Sequence, residues 1–499
     1  MLDLSLDISR SDFTAAVAGA GTMGRGIAQV LAQCGARTLL YDAQPGAAQR
    51  GLDSIAQACV KLAEKGRLQD PHAIVRRIEI VPGLPAFAPA HVVIEAIVED
   101  LAAKRVLFTE LEDIVSERCI LASNTSSLSV TAMASACKRP GRVAGYHFFN
   151  PVPVLKIVEV VDGVLTEPWV TEALTALAQR FGHTPVRCKD TPGFIVNHAG
   201  RAFVPESLRI LSEGIADPAT IDRILMDAAG FRIGPFGLTD LVGLDVAHTV
   251  MKSMYDQYFE EPKYRPSFIA EPRVAAGLLG RKTKRGWYEY APEMQIPPEP
   301  PAPRTKPPAV WTVPELKELL ADLGAKPELK PTPDAVCFVA PLGLDATAAA
   351  LEHGLDPART VAVDPLLGFT KRRTLMVTPL TKPAVRDSAH GLLASDGVPV
   401  SVIHDSPGFV AQRVVAHIVN VGCDIVQMRI ATPEDLDRAV MLGLGYPNGP
   451  LGMGDAVGPK KILAVLQNMH ELYQEPRYRP SPWLRRRAEL GASLLTPEN

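Results

Sequence analysis

The sequence predicts an α/β protein. A doubly wound parallel-sheet domain is followed by a helical domain, then by a reduced α/β segment and a second copy of the helical domain. Three observations carry this. A short apolar strand near the N-terminus runs into a glycine-punctuated turn and a helix. Short apolar runs then alternate with helix-compatible stretches to about residue 185. Finally, several motifs of the first half return in the second half at a nearly constant offset. Alternating strands and helices imply a parallel sheet with helices on its faces, and self-similarity at a fixed spacing implies duplication. A chain of 499 residues has room for several domains, since single cores stop growing near roughly 250–300 residues.

The first element is TAAVAGAGTMGRGIAQVLAQCGARTLLYDAQ (14–44). A strand over 14–18 meets Gly19-x-Gly21-x-x-Gly24, a helix continues to about Cys34, and RTLLYD is the next strand. Gly19 permits the tight turn, Gly21 lets backbone approach a pyrophosphate, and Gly24 lets helix pack on strand. Thr22 and Met23 lie in the same loop, where the helix N-terminus faces phosphates. Asp42 closes the second strand 18 residues after Gly24. A carboxylate there accepts from both ribose hydroxyls and repels a 2′-phosphate, so this Rossmann-like unit favours NAD over NADP.

HVVIEAIVED (91–100), RCILASNTSSLSV (118–130), RVAGYHFFNP (142–151) and LKIVEVVDG (155–163) are the next strands. The NAD-binding domain is therefore expected over 1–187. Helical periodicity takes over in DTPGFIVNHAGRAFVPESLRILSEG and ATIDRILMDAAGF, giving a helical substrate and dimerisation-type domain over 188–291. Prolines and lost periodicity in APEMQIPPEPPAPRTKPPAV mark an extended Pro-rich linker, 292–333. A reduced Rossmann-like segment without GxGxxG is expected over 334–403, and the second helical copy over 404–499. The repeat is explicit. DTPGFIVN (190–197) returns as DSPGFVAQ (405–412), IDRILMDAAGFRIGPFGLTDLVG (221–243) as LDRAVMLGLGYPNGPLGMGDAVG (436–458), and EPKYRPS (261–267) as EPRYRPS (475–481).

Composition narrows the function classes. A formal net charge of −3 offers nothing to nucleic acid. Seven scattered cysteines without CxxC spacing argue against a disulfide framework or a metal site and for a reducing compartment. MLDLSLDISRSDF carries Asp3, Asp7 and Asp12 and is no signal peptide. No apolar stretch is long enough to cross a membrane. A cytoplasmic, soluble protein is expected.

Hydride transfer from an alcohol to NAD needs a base for the hydroxyl proton and donors for the oxygen. His147, in YHFFNP (146–151), is the candidate base. Glu159, 12 residues on, can orient its imidazole if strands 142–148 and 155–161 are neighbours; it reads equally as a strand-edge charge. In SNTSS (123–127), at a strand's carboxyl end, Asn124 and Ser126 can reach nicotinamide and substrate oxygen, or form a plain polar turn. Asn197 is a donor from the first helix of the second domain, or a helix-surface amide.

GAGTMGRGIAQ, EAIVED, SNTSSL, YHFFNP and DTPGFIVN, in that order, resemble the motifs of L-3-hydroxyacyl-CoA dehydrogenases. The resemblance covers about 13–291, and the repeat extends it to about 490. The two-copy layout is most similar to the bacterial two-repeat branch that acts on 3-hydroxyadipyl-CoA in phenylacetate catabolism. The resemblance implies reversible NAD-dependent oxidation of a 3-hydroxyacyl-CoA, within β-oxidation-type fatty acid metabolism. It implies His147 as general base, Glu159 as its partner, and Ser126 and Asn197 on the reacting oxygen. By the same token Asn150 supports the substrate site, Glu99 lies beside the cofactor, and Lys104 contacts cofactor or CoA. It also implies that helical domains pair, here within one chain as a pseudo-dimer, with a homodimer as a further option. Alternatives are a 3-hydroxybutyryl-CoA enzyme, a non-CoA hydroxy-acid dehydrogenase, and a catalytically silent NAD-binding protein.

The second copy is an internal control. At offsets of 214 or 215, His147 falls on Val361, Asn150 on Asp364 and Asn197 on Gln412, with no counterpart of Glu159 near Arg373. One active site per chain is expected. In GRKTKRGWYEY (280–290), Arg281, Lys282, Lys284 and Arg285 either meet CoA phosphates or form a solvated basic turn.

Overall fold

In the computed structural model, which describes residue 10 and residues 12–498, the runs expected to be strands lie in one eight-stranded sheet. The N-terminal reading on Asp3 and Asp7 lies outside the described residues. Strand β1 (Thr14–Ala18) is buried along its whole length. It leads through the glycine turn into α1 (Thr22–Gln33), then β2 (Arg37–Tyr41) and α2 (Ala47–Glu64). A short α3 (Pro71–Val75) precedes β3 (Ile78–Ile80), β4 (Val92–Glu95), α4 (Leu101–Ile114), β5 (Ile120–Ser123) and α5 (Val130–Ala134). Strands β6 (Val143–Phe148) and β7 (Ile157–Asp162), helix α6 (Pro168–Arg180) and strand β8 (Thr184–Lys189) complete the layer. Strand order is β3-β2-β1-β4-β5-β6-β7-β8. Every pair is parallel except β6 with β7. The order reverses between β1 and β4, so the ligand crevice of this sheet lies at their carboxyl ends. Strands β3 and β8 carry no signal in the sequence: one is three residues long, and TPVRCK in the other has no apolar run.

After the short α7 (Val196–Ala199) come α8 (Phe203–Ser212), α9 (Pro218–Arg223), α10 (Pro235–Val242), α11 (Leu244–Gln257) and α12 (Ala270–Ala275). A two-residue hairpin, β9 (Glu289–Tyr290) and β10 (Met294–Gln295), follows. The stretch expected to be linker is pinned along much of its length. Glu299 receives Arg372 bidentately, at 2.6 and 3.0 Å. A Cβ on Gly391 would come within 2.1 Å of the Thr305 carbonyl oxygen. The span 292–333 is also not all linker, because β11 (Ala309–Thr312) and α13 (Lys317–Asp322) lie inside it. A four-residue AVWT run among prolines is too short a signal to read as a strand.

β11 opens the second sheet, followed by β12 (Ala335–Val339), α14 (Ala346–Glu352), β13 (Thr360–Val363), β14 (Arg373–Val377), α15 (Pro383–Leu393) and β15 (Val400–Ile403). The order is sequential, and only β13 with β14 is antiparallel. This is the pattern of β4 to β8. The second copy has kept the later half of the first domain and lacks β1 to β3, which is why it has no glycine-rich turn.

The strand register corrects the residue equivalences expected from a constant offset. Counting back from the shared Asp190 and Asp405 matches Val186 with Ser401. Their neighbours across the next ladder are Glu159 and Thr374. Across the antiparallel ladder His147 stands opposite Glu159, and the Asp364 amide donates to the carbonyl of Thr374, the residue matched to Glu159, at 3.1 Å. Asp364, not Val361, therefore replaces His147, and Thr374 replaces Glu159. Twelve residues separate His147 from Glu159 but only ten separate Asp364 from Thr374, so the shorter connection between β13 and β14 makes a constant offset misalign β13. Gln412, matching Asn197, is buried and fills the vestigial position. Its amide nitrogen donates to Asp364 (2.9 Å) and the Pro341 carbonyl (3.0 Å), and its oxygen accepts from Gly343 N (2.8 Å). Burial pushes the Asp364 carboxyl up to about 6.

The rest is helical: α16 (Ala411–Gln427), α17 (Pro433–Leu444), α18 (Pro450–Val457), α19 (Pro459–Tyr473) and α20 (Pro482–Leu490). The chain divides into two compact units, residues to His198 with Met428–Leu444, and Ala199–Gln427 with Gly445 onward. In the first unit α17 packs on β7 and β8, and Lys189 N donates to the Ile430 carbonyl at 2.9 Å. In the second, His404 N donates to the Ile215 carbonyl at 3.0 Å, the equivalent bond with the copies exchanged. Also in the second unit, α8 packs on α16 around a buried ion cluster. Glu206 accepts from Arg413 Nε (2.9 Å), Arg477 Nη1 (3.2 Å) and Tyr478 Oη (2.7 Å). Among the described residues, no helix is long and apolar enough to cross a membrane.

Candidate functional site

The site is built where β6 and β7 pair. Strand periodicity points alternate residues to one face, so an antiparallel neighbour can set a carboxylate directly against the imidazole. His147 Nδ1 and Glu159 Oε2 are 2.6 Å apart, and both side chains are buried. With Nδ1 engaged by a carboxylate, the ring carries its proton there and leaves Nε2 to accept. Phe149 and Phe194 flank the ring at 4.5 and 5.8 Å between centroids. Glu159 does a second job. Its Oε1 accepts from the amides of Ile195 (3.0 Å) and Val196 (2.8 Å), which fixes the turn just before Asn197. Phe194, at φ 49, bends that turn.

The SNTSS loop is tied to the same place. Asn124 Oδ1 accepts from Phe148 N at 2.9 Å, one residue past His147. Asn197 Nδ2 lies 3.5 Å from the Ser126 carbonyl. His147, Glu159, Asn124, Ser126 and Asn197 are thus joined by direct contacts or by contacts through an adjacent residue.

Glu99 is the hub beneath the loop. Its Oε1 accepts from Thr125 Oγ1 (2.6 Å), Ser126 N (3.0 Å), Ser127 N (3.2 Å) and Ser127 Oγ (3.0 Å), with Ser126 Oγ at 3.4 Å. Burial pushes its carboxyl up, but the Thr125 hydroxyl and the Lys104 ammonium outweigh this and hold it below the usual range. Lys104 departs from expectation. It is 1% exposed and sits between Glu95 (2.6 Å) and Glu99 (3.2 Å), so its ammonium is spent on carboxylates and does not reach a ligand surface. Lys104 stands on α4, and the motif EAIVED does not say which way a residue just after it points.

The glycine turn fits a dinucleotide. A Cβ on Gly19 would come within 2.4 Å of the Ala96 carbonyl oxygen, and one on Gly24 within 1.8 Å of the Gly19 oxygen, while Gly21 faces open space. Gly21 caps α1 without a side-chain bond, leaving the first amides of a 12-residue helix for an anion. Asp42 ends β2 with Oδ2 accepting from Ala20 N (2.7 Å) and Oδ1 from Gln44 N (2.8 Å). Thr22 is exposed at the turn. The Met23 side chain is half-buried against the core.

Asn150 is exposed and lines a cavity of about 740 Å³ with Arg25, Lys61, Lys65, Arg67 and Lys156. The sequence does not mark these cations as a cluster, because they come from three separate stretches. Burial pushes the Lys156 ammonium down. In the basic loop, three cations have partners nearby: Arg281 lies over Tyr290, Lys282 pairs with Asp245, and Arg285 with Glu289. No cluster able to hold a metal occurs among the described residues.

Two family models cover most of the chain. The 3-hydroxyacyl-CoA dehydrogenase NAD-binding domain matches residues 14–191, and the C-terminal domain of the same family matches 193–290 and again 408–494. The chain belongs to the 3-hydroxyacyl-CoA dehydrogenase family. It is 37% identical to the 3-hydroxyadipyl-CoA dehydrogenase of Escherichia coli K12, over 96% of this chain and 98% of that one. It is 41% identical to a probable 3-hydroxybutyryl-CoA dehydrogenase of Deinococcus radiodurans, over 55% of this chain and 99% of that protein. A solved E. coli K12 structure described as 3-hydroxybutyryl-CoA dehydrogenase matches at 36% identity with a TM-score of 0.85, covering 96% of this chain and 98% of that one. This dehydrogenase is NAD-dependent and oxidises a 3-hydroxyacyl-CoA.

Proposed function

We propose that His147 is the general base of this dehydrogenase, Glu159 its partner, and Ser126 and Asn197 the groups that hold the reacting oxygen. The observation that supports this best is the 2.6 Å contact between His147 and Glu159 in a buried strand pair. Nε2 of His147 takes the proton of the C3 hydroxyl, and the positive charge that results on the ring faces the Glu159 carboxylate. NAD, when bound, supplies the acceptor for the hydride that leaves C3. The Ser126 hydroxyl and the Asn197 amide donate to the oxygen as it becomes a carbonyl. In reduction His147 returns the proton.

Gly19, Gly21, Gly24, Thr22, the Met23 main chain and Asp42 would bind the adenosine and pyrophosphate side of NAD. Asn124 and Glu99 would lie at the nicotinamide end. The five cations around the 740 Å³ cavity suit the phosphates of CoA, since Lys and Arg are phosphate binders, and the Asn150 loop joins that cavity to the strand carrying His147. For the acyl group we favour 3-hydroxyadipyl. The E. coli relative bearing that name shares both copies, whereas the D. radiodurans relative bearing the 3-hydroxybutyryl name spans 55% of this chain. 3-Hydroxybutyryl is the second reading, because the two-copy E. coli structure carries that name. The copies form an internal pseudo-dimer, favoured by the exchanged main-chain bonds at Lys189 and His404. The scattered cysteines suit the cytoplasm.

The test is NADH formation from L-3-hydroxybutyryl-CoA and 3-hydroxyadipyl-CoA, run side by side with the parent protein and His147→Gln. A preference for the adipyl thioester is expected. His147→Gln should lower kcat by about 10²- to 10⁴-fold with the Kd for NAD unchanged within about threefold. A His147→Gln protein with parental turnover would overturn the base assignment.

A further inference from the structure

We infer that Glu95, which has no part in the chemistry above, is a positioning residue that acts through Lys104 and Glu99 to set Ser126. Glu95 ends β4 at the reversal of strand order and has no exposed surface. Its Oε1 accepts from Lys104 Nζ (2.6 Å) and from Ile97 N (2.7 Å), and its Oε2 accepts from Ser123 Oγ (2.6 Å). Lys104 passes the contact on to Glu99 Oε2 at 3.2 Å. Glu99 in turn accepts from Thr125, Ser126 and Ser127. The chain of contacts leaves the SNTSS loop at Ser123 and returns to it two to four residues later. The loop is therefore held in a ring whose back wall is one lysine shared by two carboxylates.

A buried ion pair is a poor source of stability, because desolvation offsets its attraction and well-packed apolar residues often serve as well. Its consequence here is geometric. With Glu95 in place Lys104 is anchored on β4, and Glu99 meets a fixed cation. Without Glu95 the ammonium moves with Glu99, and the Ser126 amide and hydroxyl lose a fixed reference. Loss of such a reference at a reacting centre lowers turnover more than binding.

The inference rests on the reading that Ser126 holds the reacting oxygen, and a double-mutant cycle separates the two. Glu95→Gln keeps size and the neutral hydrogen bonds. It should lower kcat by about 10- to 100-fold with the Kd for NAD changed less than about threefold. In a Ser126→Ala background the same change should cost less than about threefold, because its target is gone. Equal losses in both backgrounds, or a Kd for NAD that weakens as much as kcat, would overturn the inference. If Ser126→Ala alone leaves kcat unchanged, the reading of Ser126 falls and the inference with it. Should Glu95→Gln not fold, Glu95→Leu with Lys104→Met leaves no lone buried charge and carries the same cycle.

Discussion

Glu159 has no freedom left: one oxygen holds the His147 ring and the other holds the two amides that lead into Asn197. A glutamine with its oxygen on the amides can meet the ring only by donating its NH2 to Nδ1, which puts the ring proton on Nε2 and leaves no base there. Glu159→Gln should therefore lower kcat by about 10²- to 10³-fold. Measured kcat within a few-fold of the parent would mean that neither contact bears on the reaction. His147 and Glu159 were legible as partners because YHFFNP and LKIVEVV both read as strands, and adjacent strands bring residues into register. Lys104 was not legible in this way. It stands on α4, and the carboxylates it meets come from β4 and the following loop.

The duplicated helical elements show how exchange of charge makes one pair of copies fit. Glu206 lies on α8 of the first copy, and Arg413 and Arg477 belong to the second. Burial pushes the Glu206 carboxyl up, but the two guanidiniums outweigh it and hold it far below the usual range. Beside them His417 on α16 is fully buried, with neither ring nitrogen hydrogen-bonded, and burial pushes it down to about 3. A histidine depressed in the folded state binds protons better when unfolded. Its contribution is present above its unfolded value of about 6.5 and is lost as pH falls from there towards about 3. Denaturant titrations at pH 7 and pH 5 should show the parent losing stability on acidification and His417→Leu losing less. An equal loss in both would remove His417 from the acid response.

Across the whole molecule, the second half has the topology of the first with its opening strands gone. Residues 311–499 supply the arginines around Glu206 and also α17, which covers β7 and β8. Deleting them would leave a buried carboxylate without partners, a cost of about 3–5 kcal/mol for a broken buried pair, and would bare the sheet edge. The truncated chain should self-associate or aggregate, as followed by light scattering on a sizing column. A monodisperse, active monomer would refute the pseudo-dimer.

By itself the sequence determined six of the first domain's eight strands and their order along the chain, the glycine turn, the carboxylate at the end of β2, and the fact of duplication. Each is a local pattern, or in the case of the duplication a local pattern met twice, in which neighbours along the chain are neighbours in space. Tertiary structure alone decided what depends on strand register and side-chain direction. It set Asp364 rather than Val361 in the place of His147, turned Lys104 inward, drew the strand at Ala309–Thr312 out of a proline-rich stretch, and gathered the cations around the Asn150 loop. Such contacts join residues far apart in the chain, and a one-residue slip of a strand reverses which face a side chain takes.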